Sequence, residues 1–328
     1  MTANSASPAL PVPVGTASTA HPLDTAGVLW LVGLTLLWGI NALSVKVVTY
    51  GMAPIMATAL RGLLALALLT GYGWWRGERL GMRGWDLGHG AVNGLIFALE
   101  FCLIYGGAPM TSAGHIAIFI NTAPFFVAIG AHYLLPGDRM VMAKALGLAL
   151  AFAGIGIMFS NDILIRHSDQ WRGDLLLLGG AALWGVNTLY AKRYMVGRMS
   201  AFRMLYSQIL VSTPLLFLVS FVLEPHPFFA VTGVTVSMVV FQAAVAVSFS
   251  YMAWLALMRR YSASAMQSFT FLTPAWGVLL GVLVLGEEVQ ALVLVGIALV
   301  GLGIYLVNRP ARRTRPGAVH PSPTAETR

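Results

Sequence analysis

Two ionisable residues, Arg61 and Glu100, each interrupt an otherwise apolar run. At the centre of a membrane-crossing helix a charged side chain costs about 2.5–3.5 kcal/mol on insertion scales, so both must face a cavity or one another. A guanidinium presents a fork of donors that fits a carboxylate or phosphate, and a buried carboxylate takes up a proton or pairs with an amine. The two are therefore either an anion anchor with a proton acceptor, or a buried ion pair that ties helices together. Asn93 precedes Glu100 by two turns and shares its face.

Other polar residues fall in the same kind of run. Asn41 and Asn187 each follow a tryptophan, Trp38 and Trp184, by three residues, which puts amide and indole on one helix face. An amide both donates and accepts, so it suits a polar substrate or an interhelical bond; the indoles suit an aromatic or cationic ligand, or the core. Asn121 lies one turn before Pro124, and Gln267 two turns before Pro274. A proline removes a donor and frees a carbonyl, which bends a helix and lets it line a pathway. Gln208 is a further pathway residue, and His115 joins Glu100 as a group for proton coupling. There is no H-E-x-x-H, G-x-S-x-G or P-loop motif, and the single Cys102 offers no thiolate cage. No metal, cofactor or ATP coupling is expected, and the chain is not read as an enzyme.

The elements that must position these residues follow from composition. The chain is 58% hydrophobic and only 10% charged, against roughly 25% charged residues in a soluble protein. It belongs in a bilayer, as an all-α membrane protein. Runs of about 20 apolar residues each give a crossing helix, and ten are predicted: 26–48, 53–75, 90–110, 112–135, 142–160, 174–195, 202–224, 234–257, 262–286 and 291–308. Residues 1–25 and the basic stretch 309–328 read as disordered tails. Continuous apolarity without alternation excludes a β-barrel. The net charge of +8 does not indicate nucleic acid, because the basic residues come in short groups between apolar runs. With a cytoplasmic N-terminus, only Arg166 and Arg172 among the loop cations fall on the far side, so both termini are expected in the cytoplasm, at an inner membrane.

A duplication organises the ten. The stretch LWGINALSVK from Leu37 returns as LWGVNTLYAK from Leu183, which separates Asn41 from Asn187 by 146 positions. The NTAPFFVAIG segment from Asn121 is matched by FLTPAWGVLLG from Phe271, and Gly147 and Gly154 by Gly296 and Gly303. The halves are 26–160 and 174–308. Five helices per half is an odd number, so the second half enters the membrane from the opposite side and an inverted repeat results. The glycines of the last helix in each half, including Gly147, Gly154, Gly156, Gly296, Gly301 and Gly303, are read as close-packing positions.

The paired LWGxN motifs and the two proline, glycine-acid and glycine-punctuated segments resemble the two EamA-type repeats of the drug/metabolite transporter superfamily, over roughly residues 26 to 308. Asp138 stands where a glutamate, as at Glu287, is usual. The resemblance implies ten helices in two inverted five-helix repeats and export or exchange of small metabolites such as amino acids, purines or drugs. The expected partners are a small-molecule substrate, the lipid bilayer and protons, in a monomer or homodimer. An intramembrane lipid-modifying enzyme using Glu100 and His115, and a passive channel, are the alternatives.

Overall fold

The computed structural model describes residues 21–163, 170–285 and 291–309. Most of both tails, together with Arg166, Glu287 and Glu288, lies outside them. The described chain is helical: α1 (Thr25–Val48), α2 (Pro54–Trp75), α3 (Trp85–Gly107), α4 (Ala113–Ile120), α5 (Ala123–Leu134), α6 (Met142–Met158), the one-turn α7 (Ser160–Ile163), α8 (Gln170–Tyr190), α9 (Ala201–Leu223), α10 (Gly233–Phe241), α11 (Ser250–Met258), α12 (Ala263–Ser268), α13 (Leu272–Leu285) and α14 (Ala291–Asn308). Among the described residues seven helical stretches are long and apolar enough to cross a membrane, with Met142–Met158 apolar but shorter.

Local chemistry sets the boundaries. Asp24 caps α1 by accepting from the Gly27 N–H at 2.7 Å, and Ser112, Ser200 and Ser262 cap α4, α9 and α12 in the same way. Glu224 caps α2 from a distance, its carboxylate accepting from the N–H groups of Ile55 and Met56 at 2.9 and 2.8 Å. The run expected at 112–135 is broken: Asn121 and Thr122 turn their side chains onto the carbonyls of Ala117 and Phe119, and Pro124, lacking an N–H, stands in the first turn of α5. Pro274 occupies the first turn of α13 in the same fashion. Two stretches widen into π-helix, Ala191–Met195 after α8 and Gln242–Phe249 between α10 and α11.

Polarity runs inside out relative to a soluble protein. Leu63, Leu64 and Leu68 on α2, and Leu218, Phe221 and Val222 on α9, are exposed, while Arg61, Asn93, Glu100, Gln208, Gln242 and Gln267 are buried. In lipid no hydrophobic force gathers the helices, so close van der Waals contact and interhelical hydrogen bonds must do so. The tightest seam joins α6 and α14. A Cβ on Gly147 would lie 2.6 Å from the Gly303 carbonyl oxygen, and one on Gly154 2.6 Å from that of Gly296. Residue numbers rise on one helix as they fall on the other, so the pair is antiparallel. Gly39 on α1 meets Trp276 of α13, and Gly185 on α8 meets Phe126 of α5. Gly90 and Gly94 of α3 meet Ser207 and Val211 of α9, so these two helices run in the same direction.

Two polar clusters fasten helix ends. Buried Asp138 accepts from Lys144 Nζ at 2.6 Å and from the Ser264 N–H at 2.9 Å, and it also accepts from the Ser264 hydroxyl. Removing one partner of such a cluster strands the others, and Asp138→Ala is expected to lower stability by about 3 kcal/mol, read as a drop in thermal unfolding temperature in detergent. The Tyr261 hydroxyl donates to Asp24 at 2.7 Å, and this bond, followed by the Gly27 N–H, holds the Asp24 carboxyl below its ordinary value. A depressed carboxyl contributes stability above its unfolded pKa and loses it as pH falls through the folded one. The expected result is a link between α1 and Tyr261 that persists at neutral pH and fails only below the ordinary aspartate range. Thermal melts across an acid series check it, since Asp24→Asn removes this part of the pH dependence.

Candidate functional site in two polar cavities

The larger cavity, of about 170 Å³, is walled by residues from both halves of the chain, among them Trp38, Asn41, Arg61, Asn121, Trp184 and Tyr251. Arg61 is 5% exposed. Its guanidinium reaches Gln242 Oε1 at 3.4 Å and lies 4.9 Å from the Phe101 ring centroid; among the described residues it has no acidic partner. Gln242, at the start of the longer π-helical stretch, is itself held by donating to Ser44 Oγ at 3.0 Å. π-Helical turns widen a helix and recur at functional sites, and this one ends beside Ser250 and Tyr251. Ser250 accepts from the Trp38 indole N–H at 2.8 Å, which fixes that ring against Tyr251 and Trp254 at centroid distances of 5.8 and 5.0 Å. Trp184 meets Trp38 edge-on at 6.4 Å. The result is an aromatic cage with one cation in its wall.

A second, smaller cavity of about 30 Å³ adjoins the first and shares Trp184 and Tyr251 with it. Glu100, Asn187, Thr188 and Gln208 supply its polar lining. Arg61 and Glu100 therefore line neighbouring cavities, and among the described residues they form no ion pair. Asn93 lines neither; its carbonyl accepts from Asn187 Nδ2 at 3.4 Å, and its side-chain oxygen is buried without a partner. Gln267 also lines neither, fully buried and with both amide atoms unpartnered. His115 lies apart from both cavities, at the start of α4. Its Nδ1 is 2.9 Å from Asp174 Oδ2, its Nε2 is 3.1 Å from the Ile163 carbonyl, and Gln170 contacts the ring.

Sequence reasoning passed over Tyr251, Thr188, Trp254 and Gln242. For Tyr251 a signal existed: Tyr105 stands 146 positions before it, the offset that relates Asn41 to Asn187, and both tyrosines line the larger cavity. Gln242 carried none, because its role depends on a π-helical turn that no local pattern announced.

A helical protein with a lipid-compatible surface and a charged, aromatic cavity between its halves is of the membrane-transport class. The model of the EamA-like transporter family matches residues 25–160 and again 171–309, and the chain belongs to that family, an EamA-type member of the drug/metabolite transporter superfamily. It is an integral membrane protein. It is 21% identical over 279 residues to the uncharacterized transporter YoaV of Bacillus subtilis, covering 85% of this chain and 95% of that one. It is 25% identical over 302 residues to a probable amino-acid metabolite efflux pump of Escherichia coli, covering 85% and 93%. Its fold matches that of a solved crystal structure with a TM-score of 0.75 at 19% identity, over 87% of this chain and 96% of the other.

Proposed function

We propose that the chain is a secondary carrier that moves a small polar or amphipathic metabolite across a bacterial inner membrane by alternating access, as an exporter. Ten helical crossings form two inverted five-helix repeats, with both termini cytoplasmic. The exchanged contacts support this: Gly147 meets Gly303 and Gly154 meets Gly296, although it is Gly147 with Gly296 and Gly154 with Gly303 that correspond in sequence. A two-fold axis gives that swap, and the antiparallel course of α6 and α14 fits an axis lying across the helices, in the membrane plane. The parallel course of α3 and α9 is what a ten-crossing chain demands of its third and seventh crossings.

The observation that carries the functional reading is Arg61, a buried guanidinium without an acidic partner among the described residues, set in the wall of an aromatic cavity between the repeats. It anchors the carboxylate or phosphate of the substrate, while Asn41 and Asn121 bond its polar groups and Trp38 and Trp184 enclose its apolar part. The cavity is smaller than the roughly 300–1,000 Å³ of pockets for drug-sized ligands, which favours an amino acid or purine over a bulky drug. Relatives bearing the name of amino-acid metabolite efflux pump support the same choice. Counterflow in proteoliposomes with a panel of amino acids, purines and organic cations tests the proposal. Saturable exchange of an anion-bearing member is expected. Flux that never saturates would indicate a passive channel, and turnover of lipid without exchange an enzyme.

A further inference from the structure

We infer that the smaller cavity is a binding site for one small monovalent cation, a proton taken up by the Glu100 carboxylate or a sodium ion held by Glu100 together with Asn187, Thr188 and Gln208. The inference rests on the carrier reading only for its consequence, that occupancy of this site drives transport. The site itself is argued from its contents.

Glu100 is 4% exposed and lines the cavity, yet among the described residues no donor or cation reaches its carboxyl group. An ionised carboxylate taken out of water costs several kcal/mol unless something compensates it. Arg61 does not supply that compensation, since it lines the adjoining cavity against Phe101 and Gln242. The carboxyl group must therefore hold a proton or a cation. Its neighbours are arranged for the same guest: Thr188 and Gln208 are 4% and 3% exposed, neither makes a side-chain hydrogen bond among the described residues, and Asn187 uses only its amide N–H. Carboxylate, amide and hydroxyl oxygens are thereby left unengaged around one space, the donor set that hard monovalent cations prefer to nitrogen or sulfur.

Size restricts the guest further. A single water needs about 10–15 Å³ by the same kind of measure, so about 30 Å³ takes a small cation with one or two waters and no larger metabolite. Trp184 and Tyr251 separate this space from the Arg61 cavity and belong to the walls of both. A cation arriving at Glu100 thus acts on the same two rings that enclose the substrate, which gives the two sites a physical means of coupling. Of the titratable groups on the elements packed around α3, Tyr251 faces Glu100 across the cavity and Arg61 on α2 faces the adjoining one. Asp174 and Tyr190 on α8, Arg203 on α9 and Lys192 line neither cavity.

The test uses the full chain in liposomes and the cations themselves as probes. Tryptophan fluorescence, to which Trp184 and Trp254 at the cavity wall contribute, is followed in three titrations at constant ionic strength: sodium against choline, pH from acid to alkaline, and methylammonium against choline. We expect one saturable transition, in the sodium arm or in the pH arm, and that arm identifies the ion. Glu100→Gln should abolish it, and the isosteric Thr188→Val should weaken it about fivefold to tenfold. The unfolding temperature of each variant in detergent confirms that it is folded, and substrate counterflow by the wild type in the same vesicles separates this proposal from the carrier reading. Absence of any transition in a wild type that still exchanges substrate overturns the cation site, as does a transition that survives Glu100→Gln. A response to methylammonium alone also overturns it, because the carboxylate would then be reading a substrate amine.

Discussion

Arg61→Met is expected to weaken the affinity of the carrier for its anion-bearing substrate by about 10- to 100-fold, the equivalent of a charge-assisted hydrogen-bond pair, while leaving the folded protein at least as stable as the wild type. The two halves of this expectation have one cause. Arg61 is buried against Phe101 and a long contact to Gln242, with no acid among the described residues to offset its desolvation. Removing an uncompensated charge from a packed interior relieves the protein, and methionine retains most of the apolar stem. What disappears is the fork of donors that a carboxylate would meet. Arg61→Lys keeps the charge but loses the bidentate geometry, and should fall between the two. Half-saturating concentration in counterflow and unfolding temperature are both measured. Unchanged affinity with lowered stability would make Arg61 a structural residue and remove the anchor from the proposed function.

Gly303→Val is expected to cost about 3 kcal/mol or more of stability and to abolish exchange, whereas Gly301→Ala, two positions away on the same helix, should be tolerated or slightly stabilising. A Cβ at Gly303 would meet the Gly147 carbonyl oxygen at 2.5 Å and the Ala151 backbone nitrogen at 2.6 Å. Backbone cannot rotate aside as a flexible side chain does, so α6 and α14 would have to part along their length. At Gly301 nothing lies within 4 Å, and replacing a helical glycine there gains up to about 1 kcal/mol. Unfolding in detergent distinguishes the two, and equal tolerance at both positions would mean that the seam is not held by close approach.

These glycines illustrate how far a single sequence reaches. The six in the last helix of each half read alike, as packing positions, yet Gly156 and Gly301 face open space while Gly147, Gly154, Gly296 and Gly303 touch backbone. Spacing along a helix says which residues share a face. It does not say which face meets a neighbour. The same limit applies at the site. Asn93 and Glu100 share a face by periodicity, and Asn93 nonetheless lines neither cavity, its carbonyl taken by Asn187. Arg61 and Glu100 were legible as cavity residues because charge in lipid is costly wherever it sits. That Trp184 and Tyr251 belong to the walls of both cavities was not, since it depends on how helices from the two halves of the chain pack together.

The sequence by itself determined that this protein lives in a membrane, that it is helical, and that it carries one family pattern twice. Those properties are sums over local terms: the transfer energy of each side chain into lipid, and the need of each backbone group for a partner within its own helix. Only the tertiary structure decided which polar groups share a space. Membership of a cavity turns on helix rotation and on contacts a few tenths of an ångström from overlap, and those are fixed jointly by residues hundreds of positions apart, as where Trp38 bonds to Ser250 and closes one side of the cage.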